Sequence, residues 1–444
     1  MLDPELYELC RKLHPLIGNT ADQLWYLYAT AETHPLRMET EGLIRAVALR
    51  ELGNSVDKKT ILLPPPTQAV ARGDLYLGRL LYAQQPSHEL MQRITEIPSH
   101  LAMIGTTGSG KSTAVIGLLT ECLRKNLPFL VIDWKRAYRN LQNHPYANDL
   151  EVFTIGRASK PLEWNALKAP PGTSQMTWIK IVGEILTRSH VSGDGVGLLL
   201  MEAMESLIPA MEHAHEYHPN FHDLKTNLEN QKPSGRKSLW HQSALRVLHA
   251  LTYDDEATRS INARQPVTLE ELLSKPVVFE LDMGLPSDLR IFLSEVLFRW
   301  IHLYRLQQGE TKQTRHLLVL EEAHNLLESN SYKADVHNHL QTLLRELRGF
   351  GQGVCILTQT VANLPQWLVA NINTLCIFML SHEADILAAK RALFLQPKEE
   401  GYLDLLKIGE ALVKIKGRTN TCHVAFRDMP DDVKVRVSDE ELRK

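Results

Sequence analysis

Paired cysteine, a surplus of basic residues and long apolar runs are all missing from this chain, and each absence excludes something. The five cysteines (Cys10, Cys122, Cys355, Cys376, Cys422) are odd in number, scattered and never in a C-x-x-C pair. A disulfide framework is therefore not expected, and a reduced, cytoplasmic setting is. Net charge is −3 with a sequence pI near 6.7, so any contact with nucleic acid or an anionic membrane has to come from local patches. No apolar stretch approaches bilayer-crossing length, even around Val196 to Met204. Met1-Leu2-Asp3-Pro4-Glu5 carries acids where a secretory leader would carry bases. Internal repeats and long low-complexity segments are also lacking. The 444 residues, 44% hydrophobic and 23% charged, suffice for two or three domains or for one large core with insertions.

The residues that carry chemistry begin at Gly105-Thr106-Thr107-Gly108-Ser109-Gly110-Lys111-Ser112, followed by Thr113, which fits the G-x-x-x-x-G-K-[ST] phosphate loop. Leu101-Ala102-Met103-Ile104 before it suits a buried strand. After it, Val115, Ile116, Leu119, Cys122 and Leu123 have helical spacing. Unpaired amides at that helix start, with the positive end of its dipole, would bind an anion. Glycines let the backbone curl around phosphate oxygens. Lys111 is expected to reach the β- and γ-phosphates of ATP, and Ser112 to ligate Mg²⁺.

The partner segment is His316-Leu317-Leu318-Val319-Leu320-Glu321-Glu322-Ala323-His324-Asn325-Leu326-Leu327, an apolar strand running into two carboxylates. It is expected to lie beside the phosphate loop. Successive strand residues point to opposite faces, so Glu321 is assigned to Mg²⁺ and Glu322 to the attacking water. Val354 to Thr360 reads as a further strand ending at Gln359, either a sensor of the γ-phosphate or an amide tying down a turn. Phe129 to Asp133 is another, whose final carboxylate either lines the ligand crevice or caps a turn.

Four regions follow: a helical N-terminal region (1–60), lead-in strands (61–99) read at Asp74 to Tyr82 and Met91 to Ile94, an α/β core (100–430) with a helical insertion at about 172–260, and a charged tail (431–444) without readable chemistry. Trp25, Tyr26 and Tyr28 are read as packing rather than stacking on a ligand. His213, His215, His218 and His222 are read as a solvated helix end rather than a zinc site, because no cysteine joins them and Pro219 interrupts the spacing. Lys135, Arg136 and Arg139 are noted as candidate DNA contacts, from their position after a strand end.

Taken in order, His100 leading into the phosphate loop, Val131-Ile132-Asp133, Leu320-Glu321-Glu322-Ala323-His324, Arg348 ahead of Gly353, Leu357-Thr358-Gln359-Thr360 and Leu405 to Leu412 resemble the HerA/FtsK-type ATPases, the branch that includes conjugation and type IV secretion motors. The resemblance spans Tyr76 to Phe426. It implies a RecA-like P-loop core that forms a homo-oligomeric ring, usually a hexamer, with ATP and Mg²⁺ between subunits and DNA drawn through the centre. By the same resemblance Glu322 is the catalytic carboxylate, Gln359 the sensor and Arg348 the arginine that reaches a neighbour's γ-phosphate, with Arg345 as competitor or a structural salt bridge as the plain alternative. Two features depart from the family pattern. Many members carry aspartate where Glu321 stands, and the N-terminal β-barrel is not evident. Besides DNA translocation, a ring that assembles or gates a partner nuclease or effector in antiviral defence, or a conjugation or secretion motor, fits the pattern.

Overall fold

The computed structural model describes residues 3–53, 60–189, 193–212, 218–325 and 334–443. The apolar runs become strands: β1 (Leu75–Tyr82), β2 (Gln85–Gln92), β3 (Leu101–Ile104), β4 (Phe129–Asp133), β5 (Glu151–Ile155), β6 (Val277–Leu281), β7 (His316–Leu320), β8 (Gln352–Thr358), β9 (Thr374–Ile377), β10 (Glu410–Ile415) and β11 (Cys422–Ala425). They join in one sheet, in the order β2-β1-β11-β10-β9-β3-β8-β7-β4-β6-β5. From β9 to β5 all neighbours are parallel, and from β2 to β9 all are antiparallel.

Alternation along the parallel strands divides the interior into two layers. Leu101, Met103, Val131, Leu317 and Val319 face the core that also holds Val115 and Leu119 of the helix Lys111–Arg124. Ala102, Ile104, Leu130, Ile132, Leu318 and Leu320 face the opposite core, which the long helix Ser287–Gln308 and the insertion helices cover. Parallel strands covered on both sides read as continuous apolar runs, which is why they were visible in the sequence.

The insertion is helical as expected, with Gln175–Ser189, Asp194–Glu205, Phe221–Glu229, Arg236–Ala250 and Asp255–Asn262. His213 and His215 lie outside the described residues. His222 is 3.6 Å from Asp255, and no cluster of three metal-ligating side chains occurs among the described residues. No described helix is long and apolar enough to cross a membrane.

At the N-terminus, α1 (Pro4–Ile17), α2 (Asn19–Thr30) and α3 (His34–Leu52) enclose a small core around Leu6, Leu13, Ala21, Leu24, Ile44 and Ala48. Trp25 packs against Tyr7 and Tyr28, with centroids 4.9 and 5.6 Å apart, while Tyr26 is exposed. The Tyr82 hydroxyl donates to Lys12 O at 2.7 Å, joining this unit to the sheet.

Two expectations change. The second lead-in strand was read at Met91 to Ile94, but β2 spans Gln85–Gln92 and Ile94 begins a 3-10 turn. Although β1 and β2 precede β3 in sequence, they form a hairpin at the far edge of the sheet, beyond β11, β10 and β9. The charged tail is also structured. Asp439 lies between Arg139 (2.6 Å) and Arg157 (2.7 Å), and Val437 N–H donates to Asn140 Oδ1 at 3.0 Å.

Candidate functional site

The site lies at the carboxyl ends of β3, β8, β7 and β4, the edge where open parallel sheets bind ligands. Residues Gly105 to Gly110 make the turn from β3 into the helix Lys111–Arg124. Gly105 N–H donates to Thr358 O (3.2 Å), Thr106 N–H and Oγ1 to Met379 O (2.9 and 3.2 Å), and Ser109 Oγ to Thr106 O (2.7 Å). The helix's first i to i−4 bond is Ala114 N–H to Gly110 O, 2.9 Å. The amides of Lys111, Ser112 and Thr113 therefore have no intrahelical acceptor. Thr113 is half-buried in that first turn.

Two of the glycines are required by the protein itself. At Gly110, φ is +106° and a Cβ would meet Gly409 N at 2.8 Å; at Gly105 a Cβ would meet Phe378 Cβ at 2.7 Å. Both residues seat the loop against the β9–β10 side of the sheet.

Lys111 folds its ammonium inward, donating to Gly105 O (2.5 Å) and Thr106 O (2.8 Å). Burial, then the Lys135 charge, pull its pKa down to about 8, against Glu322 and Glu321.

Glu321 and Glu322 diverge as expected, but for a different reason. β7 ends at Leu320, so strand alternation does not separate them. Glu321 N–H still bonds Ile132 O on β4 (3.3 Å), then Glu322 turns into the left-handed region at φ +47°, and Ala323 N–H bonds Leu357 O on β8 (2.9 Å). A glutamate in that conformation is strained.

Glu321 points toward the loop helix. It accepts from Ser112 Oγ (3.4 Å) and Trp134 N–H (3.2 Å), and it shares a hydrogen bond with Asp133. Burial and then Asp133 push Glu321 up to about 9, and burial raises Asp133. Asp133 is fully buried and also caps its own turn, accepting from Lys135 N–H (2.9 Å) and Tyr138 N–H (3.2 Å). Both roles considered for it are present in part: a turn cap, one side chain removed from the pocket.

Glu322 points the other way, into an ion pair with Lys135. It accepts from Gln359 Nε2 at 3.0 and 3.2 Å and lies 3.2 Å from His324 Nδ1. Burial acts to raise its pKa, but Lys135 and Gln359 outweigh burial and hold the carboxyl below its usual range. Gln359 also accepts from Thr107 Oγ1 (3.2 Å), so it bridges the carboxylate and the phosphate loop. The loop and the carboxylate segment meet as expected, with β8 lying between β3 and β7 and delivering Gln359 there.

Arg348 is not part of this cluster. It is exposed near the end of the helix Ala334–Gly349, which leads into β8 from the amino end, whereas Gln359 follows β8. Seven strand residues separate them, on the order of 20 Å. Arg345, also exposed, is on the same turn.

A family model described as the central domain of the helicase HerA matches residues 75–350. The chain belongs to that HerA central-domain family. Solved structures share its fold. VirB4 of Thermoanaerobacter pseudethanolicus is 14% identical, with 81% of this chain and 98% of that one covered at a TM-score of 0.65. The plasmid coupling protein TrwB in complex with a non-hydrolysable ATP analogue is 15% identical, with 83% and 93% covered at 0.57. TrwB with ADP and Mg²⁺ is 17% identical, with 83% and 94% covered at 0.56. The HerA-family core is thus a RecA-like P-loop fold, with the helical insertion and N-terminal helices added. No curated protein sequence matches the chain.

Within this HerA-family site, sequence reasoning missed the role of Lys135. Its position two residues after the β4 carboxylate was visible, but it was read as a DNA contact. Of its companions, Arg136 pairs with Asp282, and Arg139 is buried against Glu280 (2.7 Å) and Asp439. Each of these three cations thus pairs with one of the protein's own carboxylates.

Proposed function

We propose that this HerA-family chain is a Mg²⁺-dependent ATP hydrolase that works as a homo-oligomeric ring, a hexamer, and couples hydrolysis to movement along DNA. The observation that carries the reading is Glu322. It is an ionised carboxylate at the mouth of a phosphate loop, tied to that loop through Gln359 and Thr107. TrwB, of like fold, has been solved with ADP and Mg²⁺ and with an ATP analogue, which supports the choice of ligand.

The residues fit the cofactors. Two carboxyls crowded in a buried site beside a serine hydroxyl form an oxygen donor set suited to a hard divalent cation, whose charge would favour their ionised form. Ser112 and Glu321 would hold Mg²⁺, which when bound would neutralise charge on the phosphate oxygens. The loop from Gly105 to Thr113 encloses the phosphates, with the amides of Lys111, Ser112 and Thr113, which lack an intrahelical acceptor, turned to them. Lys111 swings its ammonium from the loop carbonyls to the β- and γ-oxygens. Glu322 orients the attacking water and takes up its proton, and Gln359 reports the state of the γ-phosphate to the loop. Arg348 enters from a neighbouring copy, a role supported by its exposure and its distance from its own phosphate loop.

Phosphate release by purified wild type, Lys111→Ala and Glu322→Gln tests the chemistry. Lys111→Ala should lose nucleotide affinity. Glu322→Gln should retain it while hydrolysis falls roughly 10²- to 10⁴-fold; wild-type turnover in that variant would remove Glu322 from its role. Adding duplex DNA with a bound obstacle then tests movement. A second reading, a ring that gates a partner nuclease or effector, is supported by the exposed apolar side chains Tyr26, Leu27, Leu36, Leu43 and Leu49 on α2 and α3. Stimulation by DNA without displacement of the obstacle would favour it.

A further inference from the structure

Asp385 lies in the first turn of the helix Glu383–Leu393 and is buried. Its carboxylate reaches across to the segment that follows β8, where Oδ1 accepts from Val361 N–H (2.7 Å) and from Ala362 N–H (2.8 Å). Bonds of this kind, from amides to a carboxylate out of water, are among the stronger hydrogen bonds a protein makes. On the other side, Thr358 is paired with Ile104 of β3, and its carbonyl accepts from Gly105 N–H at 3.2 Å. Only Gln359 and Thr360 lie between these two clamps. One clamp belongs to the phosphate loop, and the other is Asp385.

The turn after β8 has its own closure. Leu364 N–H bonds Val361 O at 3.1 Å, and the side chains of Val361 and Leu364 are buried in the layer that also holds Ala389 and Leu393 of the helix Glu383–Leu393. What the carboxylate adds is a fixed exit for the chain as it leaves the strand. Gln359 needs that precision, because its side chain is engaged at both ends: Nε2 donates to Glu322 at 3.0 Å while Oε1 accepts from Thr107 at 3.2 Å. Hydrogen bonds weaken outside a narrow range of distance and angle, so a shift of the main chain at Gln359 loosens its hold on the carboxylate and on the loop together.

We infer that Asp385 is a positioning residue for the nucleotide site, holding the main chain past β8 so that Gln359 can join Glu322 to the phosphate loop. The inference rests on the roles proposed for Gln359 and Glu322 and extends them to a helix that lies outside the two motif segments.

A double-mutant cycle separates this role from a structural one, with phosphate release, binding of a fluorescent ATP analogue and thermal unfolding measured on each protein. Asp385→Ala should lower kcat roughly tenfold and leave affinity for the analogue unchanged. Asp385→Asn, which keeps an acceptor at the same place, should recover most of the rate. In a Gln359→Ala background Asp385→Ala should lower kcat no further, because two residues that act through one contact are not additive. A wild-type kcat in folded Asp385→Ala overturns the inference, whatever happens to the unfolding midpoint. So does a full second loss in the Gln359→Ala background. Should Asp385→Ala fail to fold, Asp385→Glu, which moves the acceptor by one methylene, is compared with Asp385→Asn: turnover higher in the Asn variant is expected, and turnover equal or higher in the Glu variant overturns the inference. If Gln359→Ala itself turns over like wild type, the reading of Gln359 fails and this inference falls with it; if Gln359→Ala is impaired and the Asp385 effect simply adds to it, the site stands and Asp385 leaves it.

Discussion

At the scale of single residues, the site is a set of pairings that no spacing rule announces. Lys135 is the clearest case, because its ammonium meets Glu322, which comes from a strand 187 positions further on when counted from Trp134 to Glu321. A cation beside a carboxylate keeps it ionised and fixes its direction, so Lys135→Met should leave nucleotide affinity near wild type. Turnover should fall by roughly ten- to hundredfold, and Lys135→Arg should recover part of it. Equal turnover in Lys135→Met and wild type would show that Gln359 and His324 orient Glu322 unaided. The types and order of Lys111, Ser112, Glu321, Glu322 and Gln359 were legible because each ends or follows an apolar strand. The two carboxylates point apart because the chain turns at Glu322, not by strand alternation. The left-handed turn at Glu322 depends on β8 lying between the two motif strands, and a sequence does not display strand order.

At the scale of elements, His100 joins three of them at the amino edge of the sheet. Its Nδ1 accepts Val354 N–H on β8 (3.2 Å), so Nε2 carries the proton and donates to Leu344 O (2.7 Å) in the helix that bears Arg348. Burial pulls its pKa from 6.5 down to about 4, the Leu344 carbonyl opposes this, and Arg348 adds to it. The folded value lies below the unfolded one, so between them the unfolded chain binds more protons. The contribution of neutral His100 is complete above about pH 6.5, is lost as pH falls toward 4, and changes no further below that. The loss amounts to about 3 kcal/mol at most. His316, buried and also depressed, adds loss in the same direction, so the measurement is a difference. Urea unfolding of wild type and His100→Asn at pH 7 and pH 4.5 should show a smaller acid loss in the variant, and equal losses would separate His100 from the pH dependence. The elements themselves were legible wherever both faces are covered. β2 was misread because its sequence, Gln85-Pro86-Ser87-His88-Glu89-Leu90-Met91-Gln92, is largely exposed and owes its strand form to pairing with β1.

At the scale of the whole molecule, what could not be read is what joins distant parts. The tail seemed inert because its partners, Arg139, Arg157 and Asn140, lie some 300 positions earlier. The opposite placement of Arg348 and the phosphate loop carries the largest consequence. The described chain puts this arginine at one edge of the parallel strands and Lys111 at the other, so an Arg348 that serves hydrolysis must serve the next copy's site, and rings of closed symmetry supply such a neighbour. Mixing Arg348→Ala subunits with Lys111→Ala subunits tests this with two proteins that are each inactive alone. A pocket works only when an Arg348→Ala subunit contributes the loop and a Lys111→Ala subunit abuts it. At equal amounts and random assembly that holds for about one interface in four, so about a quarter of wild-type phosphate release should return if pockets fire independently. The recovered rate should vanish at either extreme of the mixing ratio. No recovery at any ratio, with subunit exchange verified, would overturn the assignment of Arg348, and recovery with Arg345→Ala in its place would transfer the role one turn back along the helix.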